Sequence, residues 1–420
     1  MKINKCKLGD LLYIKQGYAF KSEKYVERSK YRLCTLGNFD NNNDFKYNDE
    51  KAVYYPEDFP KDFLLNEGDL VLPLTEQTVG LFGNSAFIPH TDDFSFVLNQ
   101  RVGKVIAKDC ADIVYLHYLL STSLVRNQIE ATASGTKQRN TSPEKIYDVD
   151  VWVPDKTTQE KIGAFLHKFE LKIQNNTQVC RELETMAKTF YDYWFTQFDF
   201  PNEEGKPYRS SGGVMEWNQQ LKREIPKGWV AKSISSLCDI LSGYSFSSAT
   251  YSDKGKYKLI TIKNVQDTGI NLDVDNHIEC LPENIPEFCK LSYGDILMSL
   301  TGNVGRVGIM YTKNCLLNQR VALIRPKQSY LSGYLYILFR SAQMRTLMEN
   351  IATGTSQKNL SPVDTGKILI PYDEKNVDRF CDTINVIIDK ITFCQKENHE
   401  LTELRDWLLP MLMNGQATVE

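Results

Sequence analysis

No stretch of the sequence approaches the ~20 consecutive apolar residues that a bilayer-spanning helix needs. Apolar runs such as Phe63-Leu64-Leu65 are only a few residues long. The first residues, Met1-Lys2-Ile3-Asn4-Lys5-Cys6-Lys7, carry charge but no apolar stretch, so no secretory leader is expected. The ten cysteines never fall in a Cys-x-x-Cys pair and the five histidines never in His-x-x-x-His. Zinc-ligand spacing is therefore missing, and thiols without an export signal point to a reducing cytoplasm. An excess of one charge is also missing. Fifty Lys and Arg face 53 Asp and Glu for a net charge of -3, which excludes a histone-like protein but not local basic patches. With 42% hydrophobic and 25% charged residues the chain is neither disordered nor collagen-like. Its 420 residues correspond to two or three domains at a typical ~150 residues each.

What the chain does contain is a repeat. Ala133-Ser-Gly-Thr-Lys-Gln-Arg-Asn-Thr-Ser-Pro143 returns as Ala352-Thr-Gly-Thr-Ser-Gln-Lys-Asn-Leu-Ser-Pro362, with seven of eleven positions identical. About one match would be expected by chance. The offset of 219 (352 − 133) also relates Asn99-Gln100-Arg101-Val102 to Asn318-Gln319-Arg320-Val321. Upstream it becomes 226 (243 − 17), relating Gly17-Tyr18-Ala19-Phe20 to Gly243-Tyr244-Ser245-Phe246, Gly68-Asp69 to Gly294-Asp295, and Thr75 to Thr301. The difference of seven (226 − 219) places a longer loop between Thr75 and Asn99 in the first copy. The chain is a tandem duplication whose halves differ in their loops.

Within each half, short apolar runs after turn signals read as strands: Leu70–Leu72, Val102–Ile106 and Val149–Val153, with Ile296–Met298, Val321–Ile324 and Ile368–Ile370. Pro154 and Pro371 are expected to close the last strand of each set. Tyr115–Leu124 and Tyr334–Met348 have helical spacing. Each module is thus α/β or α+β. A 4,3 spacing then runs through Ile162, Leu166, Phe169, Ile173, Asn176, Cys180, Leu183, Ala187, Phe190 and Trp194, with no proline or glycine between Ala164 and Phe200. The second copy gives Phe380, Ile384, Ile387, Ile391, Cys394, Asn398, Leu401, Arg405, Leu408 and Leu412. This spacing reads as a coiled-coil seam in which Asn176 and Asn398 are polar residues able to set register, the alternative being an amphipathic helix packed on its own module. A duplicated module-plus-helix unit packs with pseudo-two-fold symmetry, which makes the long helices antiparallel and puts the modules at opposite ends.

No catalytic constellation accompanies this repeat. The Gly135 and Gly354 loops lack P-loop spacing. No Asn-Pro-Pro-Tyr or Asp-Pro-Pro-Tyr segment is present, which argues against an amino-methyltransferase centre, and neither catalytic nor metal-ligating residues are assigned. Asp69 and Asp295 recur but read as turn residues. The repeated loops instead offer surface chemistry: Gly135, Thr136, Lys137, Gln138, Arg139 and Asn140, with Gly354, Thr355, Ser356, Gln357, Lys358 and Asn359. Gln and Asn can bond adenine edges, while Arg and Lys reach guanine or phosphate. Tyr18 with Phe20, and Tyr244 with Phe246, offer aromatic contacts or pack under a loop. Thr75 with Gln77, and Thr301 with Asn303 and Arg306, form a second polar loop per half. The Asn-Gln-Arg-Val pair leads into a strand and stays open between a structural and a contact role. Ser142-Pro143 and Ser361-Pro362 read as helix N-caps with Pro at the first position.

Together with Tyr191-Asp-Tyr-Trp-Phe195, Phe198-Asp-Phe-Pro201 and Gly205-Lys-Pro-Tyr208, and with Leu404-Arg-Asp-Trp-Leu-Leu-Pro-Met-Leu412 and Asn414-Gly-Gln416, the sequence resembles the specificity subunit of type I restriction-modification systems over essentially its whole length. The resemblance implies target recognition domains at 1–155 and 232–372, a first spacer helix at 156–200, a linker at 201–231, and a second helix with the C-terminal tail at 373–420. It implies readout of a bipartite, asymmetric double-stranded DNA sequence by the loops above. It also implies docking of two modification subunits that use S-adenosylmethionine, and of restriction subunits that use ATP and magnesium, with no cofactor in this chain. The rival readings are a restriction enzyme or methyltransferase with a diverged active site, and a repeat scaffold that touches no nucleic acid.

Overall fold

The computed structural model describes residues 2–39, 44–47, 49–77, 80–135, 138–354 and 357–419. It divides into two compact units, one of residues 1–172 with 401–420 and one of 173–400. Each is mixed α/β, and each repeats the same plan.

In the first unit, strands Leu12–Gln16, Val102–Ala107, Leu70–Pro73 and Ala86–Phe87 form an antiparallel sheet in that order. In the second, Cys238–Ser242, Val321–Pro326, Ile296–Ser299 and Val307–Ile309 do the same. A second sheet pairs Tyr31–Cys34 parallel with Ser95–Leu98 in one unit and Tyr257–Ile260 parallel with Cys315–Leu317 in the other. The later unit adds an edge strand at Lys290–Leu291. Both units close with an antiparallel pair, Asn4–Lys7 on Asp150–Val153 and Val230–Ser233 on Leu369–Tyr372. Pro371 lies inside its strand rather than after it. It is tolerated there because a two-stranded pair leaves an open edge.

Each expected single helix proves to be two. Helix α1 (Ile113–Ser121) yields to α2 (Ser123–Thr132) at Thr122, whose backbone is extended. The long helix α3 (Lys156–Tyr191) follows. In the second copy α4 (Ser332–Arg340) yields to α5 (Ala342–Ile351) at Ser341, whose hydroxyl accepts the Met344 N–H. The chain ends in α6 (Glu374–Met413). Apolar periodicity carries across such a corner, because both helices bury faces in one core.

The seam residues of α3 and α6 are buried or half-buried throughout. In the second unit Phe190 stacks on Phe380 at 5.7 Å, the Cys180 thiol lies 3.7 Å from the Ile391 carbonyl, and Asn176 meets Asn398 at 2.9 Å. Residue numbers rise on one helix as they fall on the other, so this stretch is antiparallel. In the first unit Ile162 and Leu166 share a core with Leu412 and Met413, and Arg405 lies 3.9 Å from Glu170, in the same sense. No described helix is long and apolar enough to cross a membrane.

Helix α3 continues only through a π-turn at Asp192–Thr196, although nothing in the sequence up to Phe200 breaks a helix. Phe198 adopts a left-handed backbone (φ 62°), and the Asp199 N–H turns back to the Tyr193 carbonyl. Trp229 packs edge-on against Phe198 at 5.4 Å, and Phe200 stacks on both Tyr208 and Trp229. Burial of four aromatic rings against the second unit's core holds a turn that local propensity opposes. The following segment is folded, with a hairpin of Met215–Asn218 on Arg223–Pro226.

Candidate nucleic-acid interface

The repeated polar segments of the first unit lie far apart in sequence but join through backbone hydrogen bonds. The Tyr18 N–H donates to the Leu98 carbonyl, and its own carbonyl accepts the Gln100 N–H at 2.9 Å. The approach is close: a Cβ on Gly17 would stand 2.0 Å from the Asn99 carbonyl oxygen, so only glycine fits. One residue on, the Arg101 carbonyl accepts the Leu74 N–H at 2.9 Å, and the Thr141 N–H donates to Leu74 in turn. Thr75 and Glu76 then pair antiparallel with Asn140 and Arg139. The Thr75 hydroxyl donates to the Asn140 side-chain oxygen at 2.8 Å. Gly135 has φ 120°, and a Cβ there would strike the Gln138 carbonyl oxygen, which accounts for the glycine of the loop.

The second unit repeats this construction. Tyr244 exchanges the same bonds with Leu317 and Gln319, and the Arg320 carbonyl accepts the Leu300 N–H at 2.9 Å. Thr301 bridges to Asn359, with the hydroxyl donating to the Asn359 side-chain oxygen at 3.1 Å. Gly354 has φ 105°. Ser142 and Ser361 cap their one-turn helices by accepting the N–H of Lys145 and Asp364, with Pro at the first position as expected. Asp69 and Asp295 hold turns by accepting the N–H of Asn66 and Ser292.

Several candidate side chains are committed within the fold. Phe20 and Phe246 are buried, each in an edge contact with its neighbouring tyrosine at 5.1 and 5.0 Å. Thr75 and Thr301 are buried as the donors just described. Arg139 contacts both Glu76 and Glu130 at 2.9 Å. Glu76 is 1% exposed, and its other oxygen accepts the N–H groups of Gly80, Leu81 and Phe82. Arg306 and Arg345 both bind Asp267. Tyr18, Gln77, Asn303, Gln357 and Lys358 are exposed, while Gln138 and Tyr244 are half-buried. Thr136, Lys137, Thr355 and Ser356 lie outside the described residues.

The profile of the type I restriction modification DNA specificity domain family matches residues 2–185 and 226–403, most of the chain in two copies. The chain belongs to this family. The specificity subunit of the type I restriction enzyme MjaIX from Methanocaldococcus jannaschii is 24% identical over 327 residues, spanning 77% of this chain and 73% of the relative. That of HindI from Haemophilus influenzae is 24% identical over 340 residues, spanning 69% and 73%. The crystal structure of a type I restriction-modification S subunit from M. genitalium shares the fold with a TM-score of 0.60 at 15% identity, covering 98% of this chain and 96% of that one.

A type I specificity subunit selects DNA within a multisubunit complex and is itself non-catalytic, and here the two recognition domains come from the duplication. Among the described residues no cluster of His, Cys, Asp or Glu is arranged to hold a metal ion. Sequence reasoning missed Glu76 and Glu130 because their role appears only when strands distant in the chain pair. It also left open Gln100, Arg101, Gln319 and Arg320, whose side chains are exposed beside the assembled loops. Their identity in both copies was the available signal.

Proposed function

We propose that each recognition domain reads one half of a bipartite DNA target through the assembled loops, and that the target is asymmetric. The observation that carries this reading is the matched hydrogen-bonded platform in the two units, which surrounds non-identical exposed residues. Readout would fall to Gln77, Lys137, Asn303, Ser356 and Lys358, which differ from their counterparts in the other copy, while Gln138 and Gln357, identical in both, would join Tyr18 and Tyr244 at the border. Thr75, Thr301, Asn140, Asn359, Arg139 and the loop glycines would hold the platform in shape.

On this reading α3 and α6 set the unread spacer between half-sites and dock two modification subunits. S-adenosylmethionine belongs to those subunits, which methylate adenine, while ATP and magnesium belong to restriction subunits that translocate and cut DNA. The net charge of -3 gives the isolated chain little general attraction for phosphate, so partner subunits supply much of the grip. The complex acts in the cytoplasm, where the DNA is. Mapping methylated adenines in cells that express this chain with its modification subunits tests the reading. A bipartite motif with a fixed gap, lost when the chain is deleted, is the expected result. Methylation that persists without the chain would overturn it.

A further inference from the structure

The Asn-Gln-Arg turn is a hydrogen-bonded repeated segment that the reading above leaves unused. In the first unit Asn99 is 9% exposed, its carbonyl accepts the Val102 N–H, and its side-chain oxygen accepts the Arg101 N–H at 3.2 Å. The Gln100 N–H is taken by Tyr18 and the Arg101 carbonyl by Leu74. Asn318, Gln319 and Arg320 make the same set of bonds in the second unit, to Val321, Tyr244 and Leu300. Four backbone groups of each turn are thus held by hydrogen bonds, and the side chains of Gln100, Arg101, Gln319 and Arg320 are exposed.

Neither guanidinium has an ion-pair or hydrogen-bond partner among the described residues. Arginines elsewhere on these loops are engaged: Arg139 with Glu76 and Glu130, and Arg306 with Asp267, which also binds Arg345 of α5. Fold stability does not account for an exposed guanidinium on an immobilised turn, retained at the same place in both copies. A ligand common to the two units does.

We propose that Arg101 and Arg320, each with its neighbouring glutamine, are matched clamps for the DNA phosphate backbone, one per half-site. The proposal rests on the reading that each unit binds one half-site. It follows from what the copies share and what they do not. The phosphate backbone is the same at every sequence, so residues that touch it can stay identical while the rest diverges. Base-reading residues must differ if the half-sites differ. The planar guanidinium suits two phosphate oxygens, and the adjacent amide supplies a neutral donor.

The test uses the specificity chain assembled with its modification subunits and compares Arg101→Ala, Arg320→Ala and Arg101→Lys. Binding is measured to a duplex carrying the mapped target and to a scrambled duplex, between ~50 and ~200 mM salt. Each alanine variant is expected to lose affinity roughly tenfold on both duplexes. The slope of log affinity against log salt should become shallower by about 0.9. The methylated motif stays unchanged, and the lysine variant keeps the wild-type slope. Loss on the target alone, with the motif relaxed at one base, would make these residues base readers and overturn the proposal. So would unchanged affinity and slope in a variant whose thermal unfolding matches wild type. A wild-type complex that does not distinguish target from scrambled duplex would instead sink the half-site reading.

Discussion

Arg139 and Lys358 occupy the same position of the repeated loop but have different surroundings. Arg139 neutralises the buried Glu76 carboxylate, which also gathers three backbone N–H groups, whereas Lys358 is exposed. Removing one partner of a buried pair leaves an uncompensated charge. Arg139→Ala should therefore cost about 2–4 kcal/mol of stability, and Lys358→Ala less than about 0.5 kcal/mol, as read by chemical denaturation. Equal costs would mean the ion pair holds nothing. A second residue-scale prediction concerns pH. Burial, then hydrogen bonding to Glu170 and its repulsion, push the Asp44 carboxyl up to about 8, against the pull of Arg405. The folded protein thus keeps a proton that the unfolded chain releases, and stability falls as pH rises from the ordinary Asp range toward 8. Burial lowers His117 to about 3, so its contribution is lost only on the acid side of the ordinary histidine range. Thermal unfolding should accordingly begin at a higher temperature at pH 6.5 than at pH 8.5, and Asp44→Asn should flatten that difference. An unchanged slope in the variant would assign it to another group. The loops themselves were legible as a repeat. The bond between Thr75 and Asn140 was not, because partners 65 residues apart meet only through strand pairing.

The elements most legible in the sequence were the long helices, whose seam follows the 4,3 spacing and whose polar exceptions face each other. Asn176 is 3% exposed and donates to Asn398 and Glu397, while the Asn398 amide reaches the Ile173 carbonyl and the Thr177 hydroxyl. Element ends were less legible. The break at Ser341 depends on a cap, and the left-handed turn at Phe198 depends on Trp229, which arrives from 31 residues downstream (229 − 198). The asparagine pair predicts a non-additive result. Asn176→Leu alone strips Asn398 of a partner in a buried seam and should destabilise the protein by about 1–3 kcal/mol. Asn176→Leu with Asn398→Leu should recover that loss, since apolar contacts suit the seam, but relax the register. Urea denaturation measures the first effect. Oxidative cross-linking of Cys180 to Cys394, neighbours in the native register, measures the second. Undiminished cross-linking in the double variant would show that the asparagines do not set register.

For the whole molecule, the proposed reading makes α3 and α6 a ruler, and the antiparallel pairing dictates how to test it. Shortening one helix alone would slide every later contact by the length removed and confuse spacing with misfolding. A matched deletion avoids this. Residues 177–183 of α3 face 391–397 of α6, and removing both segments keeps Asn176 beside Asn398. Each helix loses one heptad, about 10 Å at 1.5 Å per residue. That corresponds to roughly three base pairs at ~3.4 Å each. The methylated motif of the shortened protein should then keep both half-sites and lose about three unread base pairs between them. A change in half-site sequence with the gap preserved would place spacing elsewhere and tie the helices to readout. A whole-helix effect on spacing with no effect on sequence is what separates a ruler from a reader, because the deletion removes none of the loop residues assigned to readout.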